Sequence, residues 1–518
     1  MPFKVLVVGS GPVGSAYARL LLEGLPEARV TMVEVGPQLT PVPGMNVRNI
    51  VDAAEQQAAR LASQGPAATT RGLARPAAVV DGTVTSAEGT FLVAHGGPGS
   101  GQADGMPAAA LASCVGGQGA HWTCVTPRPY GSERVAEIPD EQWEDAVTEA
   151  EGLLHVTHDA FAANPVGQAI RAALSGVFDA GRPAGRKVGG LPVAADFAAD
   201  GSVRWTGSDT VLGPLADPDS ELSSRFALRS RTLCRRLRVE GSRVVGAEVE
   251  HLPSGERETL RSDLVVVAAD AFRTPQLLWA SGIRPAALGR YLTEHPGLLA
   301  AVALDDDVVR GRLSTIEPRE PKVAALAVVP FSEQHPFHAQ LMYFPVSPVP
   351  LAQDDPHRDN PLGYVSLEWI CRKQPRHTDR VEFSDSECDS WGMPGLSIHY
   401  SLTDREHSEI EQARSELARA AGVLGEFVRG GEPRLLPSGS FLHYQGTYRI
   451  GSRDDGTCVC DPDSRVWGID GLVLGGNGLI PTATACNPTL TSVALAVLGA
   501  RRVVRDHTAT IGRRATVG

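Results

Sequence analysis

The feature that most constrains this chain lies in its first 34 residues. Lys4 to Val8 is an apolar run of strand type that ends in Gly9-Ser10-Gly11-Pro12-Val13-Gly14. Ser15 to Glu23 then carries helical apolar spacing through Ala16, Leu20 and Leu21. Arg29 to Val33 reads as a second strand and ends at Glu34. Strand, glycine turn, helix and strand in this order predict a βαβ unit. Its parallel strands need a right-handed helical crossover, so the fold class is α/β, a sheet with helices on both faces. The glycines have separate mechanical tasks: a tight turn, close backbone approach to a pyrophosphate, and close helix–strand packing. The helix N-terminus adds free N–H groups facing the phosphates. Glu34, 20 residues past Gly14, is placed to accept hydrogen bonds from an adenosine ribose and to repel a 2′-phosphate. That favours FAD or NAD over NADP and does not separate the two.

Composition narrows the function classes. A chain of 518 residues predicts two to four domains, or one large core with insertions. With 42% hydrophobic and 21% charged residues, global disorder is excluded. A net charge of −12 leaves no excess cation for nucleic acid or an anionic membrane. Val5 to Val8 is too short for a signal peptide core. Val493 to Val504 is broken by Gly499, Arg501 and Arg502 and falls short of the ~18 residues a membrane span needs. A soluble, cytoplasmic protein is expected. Eight cysteines without a CxxC pair predict neither a disulfide framework nor a metal site.

The pattern changes along the chain. Residues 66–107, rich in Ala, Gly, Pro and Thr, read as a flexible loop or lid with short strands at Ala77–Val84 and Thr90–Val93. Glu141–Leu154 and Val166–Phe178 read as helices. Arg243–Glu250 and Leu260–Ala269 read as strands, with Val265 to Val267 apolar enough for a central one. Leu299–Leu304, Lys322–Val329, His338–Phe344, Tyr364–Ile370 and Leu396–Ser401 alternate and predict a mostly antiparallel sheet. Asp404–Val428 reads as a long amphipathic helix capped by Asp404 and stopped by Gly430-Gly431. Leu472–Gly475 is a last strand and Pro488–Val504 a last helix. The expected organisation is a discontinuous Rossmann-like domain from 1–65, 108–135, 223–300 and 440–518. A substrate domain from 136–222 and 301–439 is inserted into it, its antiparallel sheet backed by helices.

Three further segments carry chemistry. Val115-Gly116-Gly117-Gln118-Gly119-Ala120-His121-Trp122-Thr123-Cys124 joins a glycine pair, which permits close approach of a flat ligand, to polar and aromatic groups; the bland alternative is a His–Trp core pair. Phe441 to Gly451 contains His443. Gly475-Gly476-Asn477-Gly478 leads to Asn487-Pro488-Thr489-Leu490, where Asn and Pro signal a helix start. The positive end of that helix is suited to an anion such as a reduced flavin pyrimidine. If Asn487 caps the helix, its side chain is spent on the backbone; the sequence leaves both roles open.

Together these segments resemble the glucose-methanol-choline (GMC) flavoprotein oxidoreductases, in particular the pyranose oxidase branch with its bacterial sugar and C-glycoside 3-oxidases. Ala268-Ala269-Asp270-Ala271-Phe272-Arg273-Thr274-Pro275-Gln276-Leu277-Leu278 is similar to the family's second signature. Leu288-Gly289-Arg290-Tyr291-Leu292-Thr293-Glu294-His295-Pro296 is similar to its Leu-Gly-x-x-Leu-x-x-His-Pro segment. The resemblance implies FAD, held by Gly9, Gly11, Gly14, Glu34, Gly117, His121, Trp122, Thr123, Gly476, Asn477, Pro488 and Thr489. His121 matches the histidine that carries the flavin covalently in pyranose oxidases, but Gly119-Ala120 depart from the fungal Ser-Thr, so covalent and non-covalent FAD are both expected forms. Thr123 falls where the family places a threonine near flavin N5. His443 matches the catalytic histidine and Asn487 its partner. Gln340 matches, weakly, a sugar-contacting glutamine. The implied reaction oxidises a secondary hydroxyl, C2 or C3, of a pyranose or glycoside to a keto sugar, with O2 or a quinone as electron acceptor. The alternatives are a dehydrogenase that uses O2 poorly and an oxidase of non-sugar alcohols. The chain lacks the length for the fungal oligomerisation arm, so a monomer or small homo-oligomer is expected.

Overall fold

The apolar run after Lys4 becomes the centre of a parallel sheet. The computed structural model describes residues 2–64, 90–92, 105–158, 160–197, 202–309 and 324–517. In chain order its principal elements are β1 (Phe3–Val8), α1 (Pro12–Gly24), β2 (Ala28–Val33), α2 (Asp140–Leu154), α3 (Pro165–Phe178), β3 (Phe226–Arg229) and β4 (Leu264–Val267). They continue with β5 (Gly297–Leu304), β6 (Ala324–Val329), β7 (Phe337–Phe344), β8 (Tyr364–Cys371), α4 (Asp404–Ala421), β9 (Gly425–Phe427), β10 (Leu472–Leu474) and α5 (Thr489–Val517).

The parallel sheet has the order β10-β4-β1-β2-β3. Val265, Val266 and Val267 are fully buried in β4, as a strand covered on both faces requires. The apolar stretch expected over Leu260–Ala269 is divided between two sheets. Glu256–Arg261 is the edge of an antiparallel meander with Thr232–Glu240 and Arg243–His251, and β4 begins only after Ser262-Asp263. Helix α5 packs against α1 and α2. Its first turns, through Val497, are buried all round, so its apolar surface is not confined to one stripe.

The second sheet is antiparallel, with the order β6-β7-β8-β5-β9. Helix α4 packs on β8 and β5, and α3 on β6. The fold is therefore the expected α/β combination of a Rossmann-like parallel sheet and a helix-backed antiparallel sheet. Leu396–Ser401 does not join that sheet: Pro394–His399 pairs instead with Arg380–Cys388 in a separate ribbon. Thr90–Leu92 is a short strand paired with Ala110–Ala112, while Ala77–Val84 lies outside the described residues.

Helix α4 differs from expectation at both ends. Thr403, not Asp404, is the cap residue; its N–H and Oγ1 donate to the Glu406 carboxylate at 2.7 and 2.8 Å, a local ring of bonds that fixes the first turn. The helix stops at Ala421 rather than Val428. Leu424 and Phe427 keep helical spacing, but β9 pairs with Val302–Leu304 of β5. Gly425 makes this approach possible, because at φ +154° an added Cβ would lie 1.9 Å from the Ala303 carbonyl oxygen. Sheet pairing overrides helical propensity there.

The glycine turn shows why each position is constrained. Gly9 has φ +99°, and a Cβ there would meet Ala268 O at 2.3 Å. A Cβ on Gly14 would meet Gly9 O at 2.1 Å, so Gly14 lets α1 seat on its own turn. Gly14→Ala is expected to cost about 2 kcal/mol or more, measured by denaturant unfolding. Gly176→Ala, in α3 with nothing within 4 Å of the new Cβ, should stabilise by about 0.5–1 kcal/mol. Equal effects of the two changes would contradict the packing role.

Candidate active site

The strand ends of the parallel sheet open onto a cavity of about 300 Å³, the place where α/β sheets bind ligands. Gly9, Gly11, Glu34, Gly117, His121, Trp122, Thr123, His443, Gly476, Asn477, Asn487, Pro488 and Thr489 all line it. Gly14 does not, in keeping with its packing task. Gly11 leaves a bare cradle: a Cβ there would meet only Gly116 O, at 3.9 Å. Glu34 stands at the end of β2, where its carboxylate accepts the Ser10 N–H and hydroxyl at 3.1 and 2.7 Å and the Gly36 N–H at 3.0 Å. Burial pushes its carboxyl up, opposed by those bonds. An open backbone cradle beside a buried carboxylate fits the phosphates and ribose of a dinucleotide.

The stretch around residue 121 forms one wall. Gly116 and Gly117 both have positive φ, +97° and +52°, which turns the chain into the cavity. Trp122 is fixed by its Nε1–H, which donates to Thr206 O at 2.7 Å. It is a core residue and a cavity wall at once. His121 Nε2 lies 3.7 Å from Cys114 Sγ. Thr123 is exposed.

His443 and Asn487 meet at the same cavity although 44 positions separate them in the chain. Each loop is held by a buried carboxyl from elsewhere. Glu294 accepts the N–H groups of Gly439 and Phe441, both at 3.1 Å, just ahead of His443. Glu133 accepts those of Ala485 and Cys486 at 2.7 and 3.0 Å, just ahead of Asn487. Burial pushes Glu294 up to about 8 against the pull of its N–H partners. Asn487 Oδ1 is buried and has no hydrogen-bond partner, so the side chain does not cap α5. A buried amide oxygen left unpaired is costly, and one lining a cavity is available to a ligand.

Burial pushes the His443 imidazole down to about 3, so it is neutral at physiological pH. Its Nδ1 lies 3.0 Å from Nδ1 of His295, and among the described residues Nε2 has no hydrogen-bond partner. His338 is likewise pushed down to about 3, by burial and then by Arg186 and His443. His295 is also well below the usual range, through burial, His443 and His338.

Gln340 is not brought into the cavity lining. It sits on β7 opposite Glu368 of β8 and donates its amide N–H to that carboxylate, while its Oε1 is buried without a partner. Nothing in the sequence singles out Glu133, Gln445 or Thr484. Glu294 and His295 stand in the sequence only as part of a motif. The one available signal was the Glu294-His295-Pro296 segment itself; nothing local marks the others.

Models of the GMC oxidoreductase family match residues 132–297 and 375–496. Among curated proteins, the chain is 44% identical to a C-glycoside 3-oxidase of Microbacterium trichothecenolyticum, covering 98% of this chain and 97% of that one. It is 31% identical to a pyranose 2-oxidase of Tricholoma matsutake, covering 96% and 93%. Among solved structures, a mutated formate oxidase of Aspergillus oryzae RIB40 has the same fold, with TM-score 0.64, 14% identity and coverage of 98% and 99%. Pyridoxine 4-oxidase from Mesorbium loti has TM-score 0.61 at 18% identity, covering 96% and 99%.

The buried histidines predict a pH signature. Below their ordinary value of ~6.5 the unfolded chain takes up protons that the folded protein refuses down to about 3 at His338. Stability from this group therefore falls as pH drops through 6.5. Thermal unfolding between pH 7.5 and 5 should show a shallower pH dependence in His338→Gln than in the wild type, by about one proton. Identical slopes would contradict a neutral, buried His338.

Proposed function

The chain belongs to the GMC oxidoreductase family, the FAD-dependent enzymes that act on CH–OH groups, and on that premise we propose that it oxidises a secondary ring hydroxyl of a glycoside to the keto sugar. The observation that carries the reading is the pairing, in one cavity, of a neutral imidazole (His443) with an amide oxygen left unpaired (Asn487). The relative named C-glycoside 3-oxidase, at 44% identity over nearly the full length, favours C3 of a C-glycoside; the pyranose 2-oxidases are more distant.

Removing hydride from a carbinol carbon is easy only when its oxygen carries developing negative charge. His443 is suited to generate it, because a neutral imidazole can take the hydroxyl proton at Nε2. Asn487 is suited to orient the same hydroxyl and hold it in line. FAD, when bound, supplies the hydride acceptor, and O2 or a quinone regenerates it. Gly9, Gly11 and Glu34 would hold the dinucleotide, with the stretch from Gly117 to Thr123 and Gly476, Asn477, Pro488 and Thr489 lining the remainder of its site. Gln340 lies outside the cavity lining and is given no part in this reading. Gly119-Ala120 ahead of His121 support non-covalent attachment.

Anaerobic addition of C-glycosides, O-glycosides, free pyranoses and aliphatic alcohols should bleach the flavin fastest with a glycoside, and NMR should place the product ketone at C3. Bleaching only by aliphatic alcohols would overturn the substrate class. His443→Ala should keep its flavin and lose ~10²-fold or more in the reductive rate; reduction at wild-type speed would remove His443 as the base. Acid precipitation of the wild type should release the yellow colour into the supernatant. Colour retained in the pellet, and freed by His121→Ala, would establish a covalent bond instead.

A further inference from the structure

Nε2 of neutral His443 can take a proton only if the ring's own proton sits on Nδ1. The partner of Nδ1 therefore decides whether His443 is a base or a donor. That partner is Nδ1 of His295, at 3.0 Å. On its far side His295 Nε2 lies 3.1 Å from Thr484 Oγ1 and 3.2 Å from Gln445 Nε2. The Thr484 hydroxyl donates to Gln445 Oε1 at 3.1 Å, and Gln445 Nε2 donates to the His443 carbonyl at 3.3 Å. His295, Gln445 and Thr484 are at most 3% exposed, so no bulk water competes for these bonds.

This ring of groups has two polarities. In one, His443 Nδ1–H donates to His295 Nδ1, His295 Nε2–H donates to Thr484 Oγ1, Thr484 O–H donates to Gln445 Oε1, and the Gln445 Nε2–H bond is made to the His443 carbonyl and not to His295. The proton of His443 is then on Nδ1 and Nε2 is free. In the other, Gln445 Nε2–H donates to His295 Nε2, His295 Nδ1–H donates to His443 Nδ1, and Nε2 of His443 carries the proton and cannot accept another. Among the described residues Thr484 Oγ1 is the sole acceptor placed for a proton on His295 Nε2. It makes the first polarity possible.

We infer that His295 and Thr484 are positioning residues that fix the tautomer of His443, with the Thr484 hydroxyl selecting the form in which Nε2 is a base. The inference rests on the reading of His443 as the proton acceptor. No proton travels along the chain of bonds. The substrate O–H proton goes to Nε2, and Nδ1–H stays bonded to His295 throughout, with His443 then a cation whose Nδ1–H still has an acceptor. Neither His295, Thr484 nor Gln445 lines the cavity, so the effect on the reaction passes through His443 alone.

The test uses the flavin-loaded enzyme with ¹⁵N-labelled histidine, the His443 signals being assigned by their loss in His443→Ala. The wild type should show Nδ1 protonated and Nε2 unprotonated. Thr484→Val, which replaces the hydroxyl with a methyl of similar shape, should reverse that pattern and lower the rate constant for flavin reduction on the order of 10²-fold with KM unchanged, and Thr484→Ser should restore both. A wild-type spectrum with the proton on Nε2, or a Thr484→Val enzyme with unchanged tautomer and rate, would overturn the inference. The wild-type spectrum decides the point even where Thr484→Val does not fold. A His443→Ala enzyme that reduces its flavin at full speed would overturn instead the reading on which the inference rests.

Discussion

The structure depends on keeping one imidazole neutral. Water around His443 would restore its ordinary titration near neutrality and make it a cation for part of the physiological range. Its half-buried position in the cavity wall opposes this and leaves a neutral group facing the cavity. Burial also has a cost, because every polar group taken out of water needs a partner. The surrounding sequence supplies those partners: Glu294 for the loop before His443, Glu133 for the loop before Asn487, and His295, Thr484 and Gln445 behind the ring. Asn487 Oδ1, left unpaired, belongs to a residue that lines the cavity.

The two sheets divide the work. The parallel sheet offers strand ends and a glycine turn whose geometry suits phosphates. Its rigidity comes from close backbone contacts such as Gly14 against Gly9. The antiparallel sheet carries His338 and Gln340 on one face of a single strand, outside the cavity lining, both with buried polar atoms lacking a protein partner. Buried polar groups of this kind are expensive to leave unpaired.

What could be read from the chain was what short segments determine. Gly9 to Glu34 spells out strand, turn, helix and strand because each step depends on neighbours a few positions away. Val265 to Val267 announced a central strand by composition alone. Apart from the local cap at Thr403, the differences share one physical origin, contact between distant segments. Leu424 and Phe427 continue the spacing of α4, and only the pairing of β9 with β5 ends the helix earlier. Glu133 reaches Ala485 and Cys486 across more than 350 positions, and His295 reaches His443 across 148. No periodicity encodes such pairs. Asn487 was legible as a helix-start residue, but the choice between capping and facing the cavity depended on which atoms surround Oδ1.

The central claim is that a flavin ring lies between the stretch around His121 and the pair His443 and Asn487. A crystal structure of the flavin-loaded enzyme tests it most directly. The claim predicts the isoalloxazine in this cavity, with its N5 edge turned toward His443 and Asn487 and Thr123 beside it. A ring bound elsewhere, or one with the two side chains on the side remote from N5, would contradict it.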